Sequence, residues 1–260
     1  MSDKRNTRET HTIIDPENIT NYYRSDIELQ LFLLFCVFVV NKNSNTTAEK
    51  INKMFVPDHS DRWSQAVMRK YGYNPFEFVK LNRIHPPFGF LHYLREQDEM
   101  RNFLTYWRIG QYKRIIKSIY DILDLFKYDY MSCENPPPTL NNVTVEQLEG
   151  IHGIGPKTAR FFVLHSRKDQ KYAVLDTHLQ RWLDEVVSDG VLGFYPYCIG
   201  SKPLTGSWYR LWESIFLGEA SRRNLSPADL DLQIWRSSRK EVKQLDPVTG
   251  SRKEVHLMEN

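Results

Sequence analysis

Cysteine is scarce in this chain. Cys36, Cys133 and Cys198 are the only three in 260 residues, and they lie far apart. There is no Cys-x-x-Cys and no four-cysteine set, so neither an iron–sulfur cluster nor a zinc ribbon is indicated. We expect no metal and no cofactor. An odd, sparse count fits a reducing compartment. An excess of one charge is also missing: 35 Lys and Arg face 32 Asp and Glu, a net charge of +3. That total neither requires nor excludes a nucleic-acid partner, because a local basic face matters more. No apolar run reaches membrane length. The strongest, residues 29–40, contains Gln30, follows Glu28 and is too short to span a bilayer. The polar first residues lack the apolar core of a secretory signal. These absences predict a soluble intracellular protein, in cytoplasm, nucleoid or nucleus and not secreted, with residues 1–12 disordered. What is present is bulk: 41% hydrophobic and 13% aromatic residues suffice for the core of one large domain or two small lobes.

Period-two alternation is rare and helical spacing is common. Ser25-Asp26 can cap a helix through residue 40, apolar nearly all round and therefore buried. A polar turn at 41–45 leads to a short helix over about 47–55. Residues 56–90, rich in Pro, His and aromatics, read as loops with short helices. The spacing predicts an amphipathic helix over 96–107, ended by Gly110, and another over 112–126, with apolar residues at 115, 116, 119, 122, 123 and 126. Pro136-Pro137-Pro138 is a stiff connector. Thr144 can cap a helix that ends at Gly150, and Pro156 opens the next. Further helices are expected from Asp176 to before Gly190, over 207–222, and from Ser226 to about residue 236. Residues 190–207 read as loop. In the tail, 241–245 and 252–257 flank a Pro/Gly turn and read as a small β-hairpin.

The densest signal is Leu148-Glu149-Gly150-Ile151-His152-Gly153-Ile154-Gly155-Pro156-Lys157-Thr158-Ala159, followed by Val174-Leu175-Asp176-Thr177-His178. A lone Gly-x-Gly is often a plain chain reversal. Here a helix precedes it, and Pro156 and a lysine follow it, which suits a phosphate cradle built from helix-start N–H groups. Such contacts position a duplex without reading its sequence. An ammonium at Lys157 faces the positive end of the helix dipole, which favours the free amine, and burial would act the same way. A free amine is a nucleophile able to form a Schiff base. Asp176, nineteen residues on, is an ordinary N-cap residue, and capping leaves it able to stabilise an oxocarbenium-like sugar or help activate a nucleophile. His178 either packs or touches phosphate. The 41–45 turn, with Asn43, is either a plain polar loop or a wedge that fills the gap left by a flipped base. Lys113, Arg114 and Lys117 form either a solvated helix face or a backbone-contacting one.

These residues resemble the helix-hairpin-helix superfamily of DNA glycosylases, in particular its endonuclease III-like and 8-oxoguanine glycosylase-like branches. Residues 151–159 stand in register with the family's Leu-Pro-Gly-Val-Gly-x-Lys-x-Ala hairpin, with His152 at its proline. Leu175-Asp176-Thr177-His178 stands with its Val-Asp-x-His segment, and Ile109-Gly110-Gln111-Tyr112-Lys113 is similar to the helix pair ahead of the hairpin. The clear match covers about residues 100–183. The resemblance implies an all-α, two-lobed fold with a DNA cleft between lobes. One lobe would span 43–165 and end in the helix-hairpin-helix; the other would combine 13–42 with 166–236; the tail would span 237–260. It implies a monomer acting on duplex DNA that carries a damaged or modified base, with no membrane partner. Lys157 and Asp176 would be catalytic. His152, Gly153, Ile154, Gly155, Thr158 and His178, with Asn43, would contact DNA. Phe161 and His165 on the Lys157 helix and Trp235 on the last helix would line the base pocket.

Overall fold

Ser25 starts the first long helix by a reciprocal cap: its hydroxyl accepts the Glu28 N–H, and the Glu28 carboxylate accepts the Ser25 N–H. A computed structural model describes residues 13–55, 65, 69–70, 87–126, 138–188 and 206–243. All regular structure among them is helical. The chain divides into two units, Met1–Ser166 and Arg167–Asn260.

In the first unit, α1 (Asp26–Phe38) buries every residue from Leu29 onward, as its unbroken apolar run requires. It packs against α2 (Ser44–Met54), α5 (Tyr112–Leu125) and α7 (Pro156–Ser166). Phe32 lies 5.5 Å from Phe162 and 5.8 Å from Phe161, ring centre to ring centre. Phe32 and Phe162 are fully buried, and each such side chain contributes roughly 1.5–3 kcal/mol. Between α2 and α5 in the chain come α3 (Phe88–Glu96) and α4 (Met100–Tyr106). Buried Gln30 accepts the N–H of Phe88 at 2.9 Å and so caps α3 from across the unit. The short α6 (Val145–Glu149) carries the same kind of reciprocal cap as α1, between Thr144 and Gln147.

The second unit holds α8 (Thr177–Ser188), α9 (Gly206–Arg222) and α10 (Pro227–Lys243). Its core gathers Leu175, Leu179 and Leu183 against Tyr209, Trp212 and Phe216, with Leu230 and Ile234 from α10.

Four expectations change. The segment 13–42 belongs to the first unit instead of joining 166–236. Arg24 shows why: its buried guanidinium donates to the carbonyls of Ile19, Asn21 and His165, which ties the approach to α1 onto the end of α7. The helix expected over 96–107 starts only at Met100 and ends at Tyr106, after Asp98 takes a left-handed φ of 54°, and a separate helix, Phe88–Glu96, precedes it. The second helix starts at Ser44, because Asn43 accepts the Thr46 N–H and caps it three residues earlier than expected. The last helix runs through Lys243, so residues 241–243 are helical and not the start of a strand. The rest of the expected hairpin, the N-terminal segment 1–12 and the loop at 190–205 lie outside the described residues.

Candidate functional site

The turn from α6 to α7 is built to hold its shape from behind. Ile151 and Ile154 are buried, 3% and 4% exposed, and anchor its two sides. The N–H of Ile154 donates to the carbonyl of Ile151 at 3.0 Å, closing the turn. Gly153 sits at φ +77°, a left-handed value suited to glycine. A Cβ there would lie 3.1 Å from Arg114 Cγ and 3.1 Å from Ser118 Oγ. The back of the turn therefore presses directly on α5.

Polar contacts lock this seam. Ser118 Oγ lies 2.6 Å from the His152 carbonyl and 2.9 Å from that of Arg114, sharing its one hydrogen. The N–H of His152 donates to Asp121 at 2.9 Å. Arg114 donates to Gln111 Oε1 at 2.7 Å, to the Val37 carbonyl at 2.8 Å and to the Gly153 carbonyl at 3.4 Å. Glu149 of α6 pairs with Arg160 of α7 at 2.6 Å and fixes the two hairpin helices to each other.

The front differs. Gly155 is exposed, and its carbonyl accepts the N–H of Ala159 at 3.0 Å, which makes it the N-cap of α7. A Cβ on Gly155 would meet nothing within 4 Å. Packing inside the protein thus places no demand for glycine there. A glycine cap also brings no side-chain oxygen to the amides of the first turn, and Pro156 has no N–H. The N–H groups of Lys157 and Thr158 begin the helix without intrahelical partners, beside the open space in front of Gly155.

Lys157 stands at this opening and is exposed. Thr158 is half-buried and His152 exposed. Ile154 offers neither side chain nor N–H to a partner, since one is buried and the other closes the turn. It anchors the hairpin. Asn43 spends its side-chain oxygen on the cap of α2.

Asp176 belongs to the second unit, and the chain around it is stapled in place. Tyr209 Oη donates to the Ala173 carbonyl at 2.7 Å and accepts the Leu175 N–H at 3.2 Å. Glu213 accepts the Ala173 N–H at 2.9 Å, and Gln180 donates to the Leu175 carbonyl at 2.7 Å. Asp176 then caps α8. Its Oδ1 accepts the N–H of His178 at 2.9 Å and of Leu179 at 2.8 Å. Both cap bonds fall on one oxygen, so the cap leaves Oδ2 unused. His178 is half-buried, and its Nδ1 is buried without a hydrogen-bond partner.

Of the expected base-pocket residues, His165 is fully buried in the first unit. Its Nδ1 lies 2.8 Å from Thr20 Oγ1 and its ring meets Phe161 edge-on at 4.8 Å. Phe161 in turn packs on Phe32. Phe161 is half-buried against α1, and His165 holds the segment that leads into α1. Trp235 is half-buried on α10 of the second unit. Among the described residues no three His, Cys, Asp or Glu side chains cluster as metal ligands would, and no helix is long and apolar enough to cross a membrane.

Sequence reasoning missed the latch formed by Ser118 and Asp121, and it left Arg114 open between solvent and a partner backbone. The only signal was their spacing along one face of α5, at i, i+4 and i+7 from Arg114. Desolvation holds the Arg114 guanidinium below its ordinary pKa, as expected for a cation turned inward. No protein-family model, no curated protein and no solved structure matches this chain.

Proposed function

We propose that this chain is a DNA glycosylase that flips a damaged or modified base out of duplex DNA, excises it, and then cleaves the strand at the abasic site. The observation that carries the reading is the contrast across the hairpin. Gly153 is glycine because α5 presses on it, whereas Gly155 is glycine with open space in front of it. Open space before a helix start with unspent N–H groups suits a phosphodiester.

The chemistry then assigns roles. The Lys157 amine attacks C1′ as the base departs, and the carboxylate of Asp176 stabilises the positive charge that develops on the sugar. Opening of the ring gives an imine, and loss of a C2′ proton expels the 3′ phosphate. The protein acts as a monomer and without a cofactor. A second reading, in which water displaces the base and Lys157 lends only charge, draws on the exposure of that lysine.

Incubating the protein with duplexes that each carry one lesion tests the reading. Strand scission without alkali is the expected result on at least one of them. Scission only after alkali supports the water-using form, and intact bases throughout would remove the glycosylase assignment.

A further inference from the structure

The turn between α1 and α2 buries an amine that no protein group accepts. The Lys42 N–H donates to the Val39 carbonyl at 2.9 Å. Gln111 Nε2 lies 3.3 Å from the Val40 carbonyl and Arg114 Nη2 lies 2.8 Å from that of Val37, so the turn is pinned against the start of α5. Lys42 Nζ is buried and has no hydrogen-bond partner. The charged groups acting on it from the packed elements are Arg114 of α5 and Lys50 of α2, both cations. Lys50 Nζ is itself held, 2.8 Å from the Arg108 carbonyl.

A buried ammonium without an acceptor is costly, and like charges nearby raise the cost. Two remedies exist: losing the proton or gaining an anion. Burial, then Arg114, then Lys50, press Lys42 down to about 8. At neutral pH most of the amine is therefore still charged, and deprotonation does not remove the problem. An external anion does. Lys42 lies in a turn between exposed Asn41 and Asn43 and is itself only half-buried, so the site lies at the surface within reach of a dissolved anion.

We propose that Lys42 and Lys50, in the field of Arg114, form a binding site for a phosphate-class oxyanion at the α1–α2 turn. Arg114 also reaches the hairpin, where it donates to Gly153. The site thus shares a residue with the proposed duplex contact, and it deepens that reading by supplying a second backbone phosphate. Only the source of the phosphate rests on that reading; an unattached phosphate has the same chemistry.

The test follows the lysine amine resonances of the whole chain by NMR, with Lys42 assigned through Lys42→Met. Inorganic phosphate is titrated at constant ionic strength against a chloride control. The expected result is a saturable shift of the Lys42 and Lys50 signals and a rise in the Lys42 titration midpoint. In Lys42→Met the Lys50 shift should be lost while the circular dichroism spectrum is kept. A Lys42 signal that tracks ionic strength alone overturns the site. A parallel arm measures duplex binding: Lys42→Met should weaken it and reduce the salt slope by about one. Duplex binding unaffected by Lys42→Met, with no phosphate shift, overturns the site and leaves the DNA reading standing. A phosphate shift without duplex binding upholds the site and removes DNA as its source.

Discussion

Ser118 Oγ lies 2.6 Å from the carbonyl oxygen of His152, and a Cβ on the next residue, Gly153, would lie 3.1 Å from that same hydroxyl. One serine therefore both holds the hairpin and crowds any side chain at its tip. Two residues on, Gly155 has no such neighbour. Two glycines in one turn thus have different reasons to be glycine.

Their substitutions should separate. Gly153→Ala must place a side chain at φ +77°, at a cost of roughly 1–2 kcal/mol, with crowding of Arg114 and Ser118 in addition. Gly155→Ala should stay within about 1 kcal/mol of wild type, yet weaken binding to ordinary and lesion-bearing duplex alike, and Gly155→Val should weaken it further. Urea unfolding and fluorescence anisotropy measure the two effects. Equal loss of stability in both variants, or full duplex affinity in a folded Gly155→Val, would take the open face of the hairpin out of the account.

Asp176→Asn should fold and lose most base excision. The amide oxygen can keep the cap bonds to His178 and Leu179 now made by Oδ1. The negative charge is what disappears, and an electrostatic group of this kind is worth ~10²–10³ in rate. Single-turnover excision on a cleaved lesion duplex gives the number. Near-normal excision would show the charge to be dispensable, and a collapse in stability would make the residue structural.

Lys42 sets a pH dependence whose sign is fixed. Its amine is held at about 8 in the folded chain, by burial, then Arg114, then Lys50, against an ordinary value of 10.5. Between those values the unfolded chain binds more protons than the folded one, so stability rises with pH. Below about 8 both states are charged and the penalty is present in full. Lys42→Met should therefore be more stable than wild type at pH 7. That advantage should shrink as pH climbs from 8 toward 10.5, in denaturation series at fixed ionic strength without phosphate. A constant difference across that range would mean the amine is not held down.

The helix starts were legible because their signals are local. Ser25 with Glu28, Thr144 with Gln147, and Ser226 with Asp229 each declare a cap within four residues, and each is made. Asp176 declared its cap in the same way. Residues 95–99 are all polar, so the stop at Asp98 fell in a stretch with no apolar spacing to mark where one helix ended and the next began. The run from Leu29 to Phe38 announced burial but not its neighbours, so its place in the first unit depended on Arg24 reaching His165, 141 residues away. His165 itself looked available on its helix, and its partner Thr20 lies 145 residues back. Long-range polar contacts leave no periodicity in a sequence. The same holds for Lys42, an ordinary turn lysine until α5 closes over it.

Borohydride trapping on abasic and lesion-bearing duplex tests the central claim most directly, because it records the bond on which the lyase reading depends. Reduction of the imine during reaction should leave a covalent protein–DNA adduct that peptide mapping places at Lys157. Lys157→Ala and Lys157→Gln should fold and fail to trap. The lysine is exposed, so neither change removes a packed side chain. An adduct at another amine, or full trapping by both variants, would contradict the assignment of Lys157 as nucleophile.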